Sequence, residues 1–583
     1  MTRPLAICAL SALLFVACRA PEFAGPTNVL LVSIDTLRPD HLGAYGYRRP
    51  TSPHLDGLAA RGALFENAVS TAPWTLPAHA SMFTSRTPAF HGMQDEASRL
   101  ADGVPTLASA LRSVGHRTLA VVSHVYVSSE FGLDRGFDVF DDSLIQGGAT
   151  NPVASEAVDL LLEHLGRTPV EPFFAFLHLF DPHVPYTPPA PYFDRFAAPD
   201  YAGPVDGTLA SVKAFGRGGA VVPRVDLQHI IDLYDGEIAY TDAELGRLFE
   251  VLAQRGVLDR TLVIVTSDHG EEFKEHGRIG HGTGLFGEQL RVPLIIAGHP
   301  AFAPGSRRQE LVSLVDLAPT VLDLVGGSPL EGSVGSSLAG VPSRGDRVVF
   351  AESVREGREL RMAQSDTHKL IRAVAGDPQF FFELASDPAE QLPLPPEAWD
   401  PALVGALDAY AALAESGWHL KFIALEGAPI RVVGRARAEG RIVGAERLSS
   451  NLGRYPGPQF ARFERFELSN DGAELAFEVI VSRYMGAVRF DTEPVDAVVT
   501  FEVDIQRSGA RAGLHLADGT ELAMGQPIPL ERGDPRLAVF PDRYAALPVG
   551  VHIRAVNAPL PVGSPSALTP EAVERLRALG YAP

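Results

Sequence analysis

Apolar and polar positions along this chain follow two regimes. Between residues 28 and about 350, unbroken apolar runs at 28–34, 117–122, 173–179, 261–266 and 292–297 alternate with stretches of helical period at 53–61, 106–114, 154–165, 226–254 and 314–325. Unbroken runs of this length predict strands buried on both faces, and their alternation with helices predicts an α/β fold built on a doubly wound, mostly parallel sheet. Ligands of such sheets bind beyond the carboxyl ends of the strands, so the residues after each run become the candidates for chemistry. From about 360 the runs shorten, and a helix is expected near 401–415. Between 418 and 560 the pattern turns to alternation at 429–434, 475–482, 497–503 and 551–556, interrupted by Gly, Pro and Asp, which predicts a C-terminal β-rich, sandwich-like domain. A last helix is expected at 570–579. The predicted organisation is a catalytic domain at 28–415, a β-rich domain at 418–560 and a C-terminal helical segment at 561–583.

The first eighteen residues fit neither regime. Arg3 precedes an apolar run from Leu5 to Ala17 that is too short to span a bilayer, which predicts an export signal that is removed. Phe15-Val16-Ala17-Cys18 resembles a bacterial lipoprotein processing box, in which the cysteine becomes the lipidated first residue, and 19–27 reads as a tether. The expected location is outside the cytoplasm, anchored by lipid to a bacterial membrane. Cysteine usage then narrows the chemistry. The chain has two, Cys8 and Cys18, so nothing beyond residue 18 can form an intrachain disulfide, a Cys-ligated zinc site or a Cys nucleophile. A formal charge of −21 with four lysines disfavours nucleic acid as a partner.

Three segments carry candidate chemistry. The run at 28–34 ends in Asp35-Thr36, and the run at 261–266 ends in Ser267-Asp268-His269-Gly270-Glu271. One Asp at a strand end serves equally well as a ligand or a helix cap, but two such ends together offer oxygen and nitrogen donors to one cation. The third segment, Trp74-Thr75-Leu76-Pro77-Ala78-His79, places Thr75 at a helix start, where free N–H groups and the macrodipole favour an anion. A threonine hydroxyl needs a metal or a base to become a nucleophile, so the two sets of residues support each other.

With these motifs in order, the chain resembles the sulfatase branch of the alkaline phosphatase superfamily, through 28–47, 55–84, 131–137, 173–186, 240–248, 266–296, 316–324 and 369–390. The resemblance implies one divalent metal (Ca, Mg, Mn or Zn) held by Asp35, Asp268, His269 and the hydroxyl of Thr75, with Thr36 where many sulfatases carry a second aspartate. It implies Thr75 as the nucleophile, His183 as a substrate contact and His281 in place of a sulfate-binding lysine, and His183 or His281 can protonate the leaving oxygen. Arg38 and His79, the latter in place of the motif arginine, are the expected substrate-binding groups, and His178 reads as an internally satisfied histidine. Two departures stand out. Threonine cannot be converted to the formylglycine that sulfatases make from cysteine or serine, and the lysine usual after the Gly115-His116-Arg117-Thr118 strand is missing. A threonine with Asp, Asp and His looks instead like phosphoethanolamine transferases, lipoteichoic acid synthases and nucleotide pyrophosphatases of the same superfamily. The expected function is an extracytoplasmic hydrolase or transferase of phosphate, phosphonate or sulfate esters, with a small-molecule, glycan or lipid ester as substrate. The alternative is an inactive protein that binds sulfated or phosphorylated glycans.

Overall fold

The computed structural model describes residues 28–556, except 95–97, 102, 147–153, 171, 217–220, 341–346, 354–359, 374–375, 415–416, 425–428, 449–460, 482–483, 495, 508–511, 533 and 538–548. The predicted signal, tether and last helix therefore lie outside the described residues. Eight strands form the central sheet: β1 (Asn28–Ile34), β2 (Gly62–Val69), β3 (Arg117–Val121), β4 (Val139–Asp141), β5 (Phe173–Leu179), β6 (Thr261–Thr266), β7 (Arg291–Ala297) and β8 (Ser306–Ser313). Their order is β8-β2-β7-β6-β1-β5-β3-β4. All neighbours run parallel except β7, which is antiparallel to both β2 and β6.

Alternation along β1 explains the layering. Leu30, Val32 and Ile34 join one core with α1 (Pro53–Ala60), α4 (Ala154–Leu165) and α5 (Arg224–Gln254). Val29 and Leu31 join a second core with α2 (Thr75–Thr84), α3 (Leu107–Ser113) and α6 (Leu317–Val325). Helices thus cover both faces, as a doubly wound sheet requires. Three strands escaped the apolar-run criterion. In β2 the run is cut by the half-buried Glu66 and Asn67, β4 is three residues long, and β8 is an edge strand whose first half is polar and partly exposed. The expected helix at 314–325 opens with a 3-10 turn at Leu314–Asp316.

Beyond the central sheet, an antiparallel four-stranded sheet (Val349–Ser353, Leu360–Gln364, His368–Ala373, Gly376–Glu383) packs on α7 (Pro401–Ala414), where the Phe350 and Tyr410 rings stack 4.3 Å apart. Residues 417–556 form a six-stranded and a five-stranded sheet, almost wholly antiparallel, around a core that includes Trp418, Phe422, Val432, Phe477 and Phe501. The strand Ile430–Ala438 alternates strictly between buried and exposed positions, the pattern of a sheet with one wet face.

Candidate active site

The ends of β1 and β6, adjacent and parallel in the sheet, deliver Asp35 and Asp268 to one place. Their loops are locked together: Ser267 Oγ accepts the Leu37 N–H (3.0 Å) and donates to the His269 carbonyl (2.6 Å). Thr36 sits at φ 58°, a left-handed conformation that costs a non-glycine residue on the order of 1–3 kcal/mol. Tyr234 of α5 holds it there, its hydroxyl donating to the Thr36 carbonyl (2.8 Å) and accepting the Arg38 N–H (3.0 Å). After β6, Gly270 lets the chain pass close to the 287–290 turn. A Cβ at this position would lie 2.1 Å from the Glu288 carbonyl oxygen. Close approach, rather than a positive φ, is the reason for this glycine.

Asp35, Asp268 and His269 are fully buried and place three ligand atoms within 4.8 Å of one another. Both oxygens of Asp35, Oδ2 of Asp268 and Oγ1 of Thr36 have no hydrogen-bond partner. Burial pushes the Asp268 carboxyl up to about 6, and burial with repulsion from Asp268 and Glu271 pushes Asp35 well above the carboxylate range. Two carboxylates in a dry interior with three of their four oxygens unpartnered cost several kcal/mol unless a cation joins them, so the donor set fits a divalent metal.

Helix α2 begins at Thr75, and no side chain caps its N-terminus. Thr75 Oγ1 lies 3.3 Å from His269 Nε2, so the hydroxyl meets the same cluster. His79, one turn on, is completely buried, with Nδ1 2.8 Å from the Thr75 carbonyl oxygen and Nε2 3.0 Å from Ser33 Oγ. That position differs from the expected role in substrate binding: the buried ring lies one turn along the helix and holds the main-chain carbonyl of Thr75. Arg38 differs from its expected role as well. Its guanidinium is held by Asp40 (2.8 Å), Glu275 (2.6 Å) and the Glu271 carbonyl (2.8 Å), which leaves it tying two loops together instead of meeting an ester.

Half-buried imidazoles line the approach. The rings of His124 and His183 lie 5.7 Å apart, those of His183 and His281 5.0 Å, and those of His281 and His269 4.3 Å. Burial, with repulsion from His281, pushes His183 down to about 3. His281 Nδ1 is 3.1 Å from Glu271 Oε1, and the Tyr186 hydroxyl donates to Glu271 Oε2 (3.0 Å). The sequence reading missed Glu271, Tyr186, Tyr234 and Ser267 as supports of the site. Ser267 and Glu271 carried a signal, flanking Asp268 and His269 in one motif. His178, expected to be satisfied, is not: its Nε2 is buried without a partner, 3.5 Å from Asp35 Oδ2.

Strand-end carboxylates, a hydroxyl at a helix start and a doubly wound sheet define a hydrolase of the sulfatase and alkaline phosphatase fold. The sulfatase family model matches residues 27–327, more than half of the chain, and the chain belongs to that family. Among curated proteins it is similar to an arylsulfatase of Clostridium perfringens, 26% identical over 51% of this chain and 74% of that protein. It is also similar to the multifunctional alkaline phosphatase superfamily protein PehA of Trinickia caryophylli, 26% identical over 67% of this chain and 95% of that one. The fold is shared with a phosphonate monoester hydrolase of Agrobacterium radiobacter (TM-score 0.53, 23% identity, 64% of this chain and 92% of that one). A protein solved with its substrate D-glucosamine-2-N,6-O-disulfate shares it too (TM-score 0.54, 19% identity, 63% and 93%).

Proposed function

We propose that this protein is an exported, lipid-anchored hydrolase or transferase of phosphate or phosphonate esters that uses Thr75 directly as its nucleophile, without formylglycine. The observation that carries the reading is the contact of Thr75 Oγ1, at an uncapped helix start, with the cluster of Asp35, Asp268 and His269. Residues 1–18 support export, and Cys18 supports the anchor. Likeness to PehA and to a phosphonate monoester hydrolase supports phosphorus esters, while the arylsulfatase likeness keeps sulfate esters as the second substrate class.

A divalent cation bound by Asp35, Asp268 and His269 supplies Lewis acidity, lowering the pKa of the Thr75 hydroxyl and polarising the ester. His79 holds Thr75 through its main-chain carbonyl, so Oγ1 is fixed for in-line attack on phosphorus. As the Thr75–phosphorus bond forms, the bond to the ester oxygen breaks, and His281, oriented by Glu271, gives that oxygen a proton. The Thr75 hydroxyl proton passes to solvent as Thr75 attacks; water or an acceptor alcohol, giving its proton to His281, then displaces Thr75 from phosphorus, and the released Thr75 oxygen regains a proton from solvent. A threonine sulfate ester would have no counterpart to the collapse of a formylglycine hemiacetal, which is why phosphorus esters come first. Thr75→Ala tests the reading. It should lower turnover of aryl phosphate and phosphonate esters by at least roughly 10³-fold while the protein keeps its metal. Full activity in that variant would refute the assignment. Metal-free protein without turnover of any ester would point to the inactive glycan-binding alternative.

A further inference from the structure

The segment that follows β5 brings His183 to the approach and Tyr186 to Glu271, and two carboxyl groups that the mechanism above does not use meet at its base. Asp181 opens the segment and Glu237 projects from α5; both are buried. Each accepts a main-chain N–H. Asp181 Oδ2 takes that of Ala154 at the start of α4 (2.8 Å), and Glu237 Oε1 takes that of Thr187 at the far end of the segment (2.6 Å). The two carboxyls also lie within hydrogen-bond reach of each other, and Glu237 Oε2 is buried with no donor to accept from.

The surroundings supply no counter-charge. The titratable groups that face the pair are Glu156 of α4, Tyr240 of α5 and Tyr186 of the segment itself, none of them cationic. Two carboxylates in contact in a dry interior cannot both carry charge, because their repulsion is poorly screened. One proton between them turns the repulsion into a charge-assisted O–H···O hydrogen bond. Burial, and for Glu237 also the charge of Asp181, pushes both groups above the carboxylate range. Asp181 is the better anion of the two, since the Ala154 N–H and its own main-chain N–H favour its charge, so the proton sits on Glu237 and is donated to Asp181.

We propose that Asp181 and Glu237 share one proton, and that this proton is the clasp that joins the two ends of residues 181–187 and keeps His183 and Tyr186 in place for the reaction. Both are positioning residues, since neither touches the ester. The link to turnover rests on the functional reading above, whereas the clasp itself does not. Above a pH of about 4.3, the ordinary glutamate value, the folded chain keeps a proton here that the unfolded chain has released. The clasp is therefore complete below that value and is lost as pH rises through the raised value of the pair, where two like charges push the ends of the segment apart.

Glu237→Gln tests it, because the amide keeps the shape, donates to Asp181, accepts from Thr187 and cannot lose a proton. The full chain and this variant are compared by infrared difference spectroscopy at pH 7, and by hydrogen exchange of peptides covering 181–188 from pH 6 to 10, corrected for the intrinsic rate. A protonated-carboxyl band that the variant lacks is expected. Protection of the segment should fall by roughly tenfold or more with rising pH in the unaltered chain and stay level in the variant. Turnover of a p-nitrophenyl phosphonate ester, whose leaving oxygen needs no proton from His281, should decline at high pH in the unaltered chain, with the decline displaced upward by about one pH unit or more in the variant. If Glu237→Gln does not fold, Asp181→Asn, which leaves a single ionisable group in the pair, should level the exchange profile in the same way. A carboxyl band unchanged in the variant, or protection that follows pH equally in both proteins, would overturn the clasp. Level exchange with an undisplaced turnover profile would overturn its role in the reaction. The expected band and exchange with no ester turned over at any pH would leave the clasp standing and remove the functional reading.

Discussion

At the scale of single residues, the proposed mechanism makes the contact between Glu271 and His281 decide how the leaving oxygen is protonated. Glu271 touches no substrate in the proposed mechanism. It is a positioning residue whose buried carboxylate fixes the ring of His281, while Tyr186 fixes the carboxylate. Glu271→Gln keeps the shape and removes the charge, so the fold should survive and the acid should weaken. The expected result is a fall in kcat of roughly 10–100-fold for esters with poor leaving groups, such as alkyl phosphates, and little change for p-nitrophenyl esters that need no protonation. Equal losses on both substrates would reject the role. Residue identity was the legible part of this site. Asp35, Asp268, His269 and Thr75 stood at strand ends and a helix start, where topology alone made them candidates. The environment of each ring was not legible. Nothing in the one-dimensional chain shows that Arg38 is surrounded by Asp40, Glu275 and a carbonyl, or that Ser123 Oγ donates to the His178 carbonyl, because those partners lie up to 237 residues away.

At the scale of elements, the loop from β6 to β7 carries the site and depends on two fastenings. One is the passage of Gly270 beneath the Glu288 carbonyl. Gly270→Ala would force the two strands of this passage apart, with an expected cost of about 1–3 kcal/mol, and displace His269, so thermal stability and metal affinity should fall together. The other fastening is His276. Its ring stacks on Phe286 at 3.6 Å, with Nδ1 2.7 Å from Glu288 Oε1 and Nε2 2.9 Å from the Glu390 carbonyl oxygen. Burial lowers its pKa, but these acceptors outweigh burial and raise it to about 9. Because the folded pKa lies above the unfolded value of about 6.5, the contribution is full below pH 6.5 and is lost as pH rises through 9. The ring is half-buried, so screening limits this to on the order of 1 kcal/mol. Melting temperatures measured from pH 6 to 10 should fall across that window in the unaltered chain and more weakly in His276→Gln. At this scale the apolar runs identified the five strands that are buried on both faces and the long helices. The runs failed for β2, whose buried stretch is cut by Glu66 and Asn67, for the three-residue β4, and for the edge strand β8, whose polar first half is held by pairing.

At the scale of the whole molecule, the apolar cores separate cleanly. Two flank the central sheet, two more hold the 349–414 region against it, and the core of the two C-terminal sheets draws only on residues from Trp418 onward. Among the described residues none of the buried apolar side chains of that last core belongs to any of the others. Cooperative unfolding is carried mainly by shared buried surface, so segments with unshared cores unfold as separate units. Calorimetry should therefore resolve two transitions. Trp418 is fully buried and packs on Phe501 with ring centres 5.3 Å apart, and truncation of so large a ring costs roughly 3–5 kcal/mol. Trp418→Ala should lower one transition by several degrees and leave the other, together with metal stoichiometry and ester turnover, where it was. A single transition that moves as a whole, or loss of turnover with the sandwich core, would mean that the C-terminal sheets are part of the catalytic unit. They would then shape the site through contacts that apolar packing does not reveal.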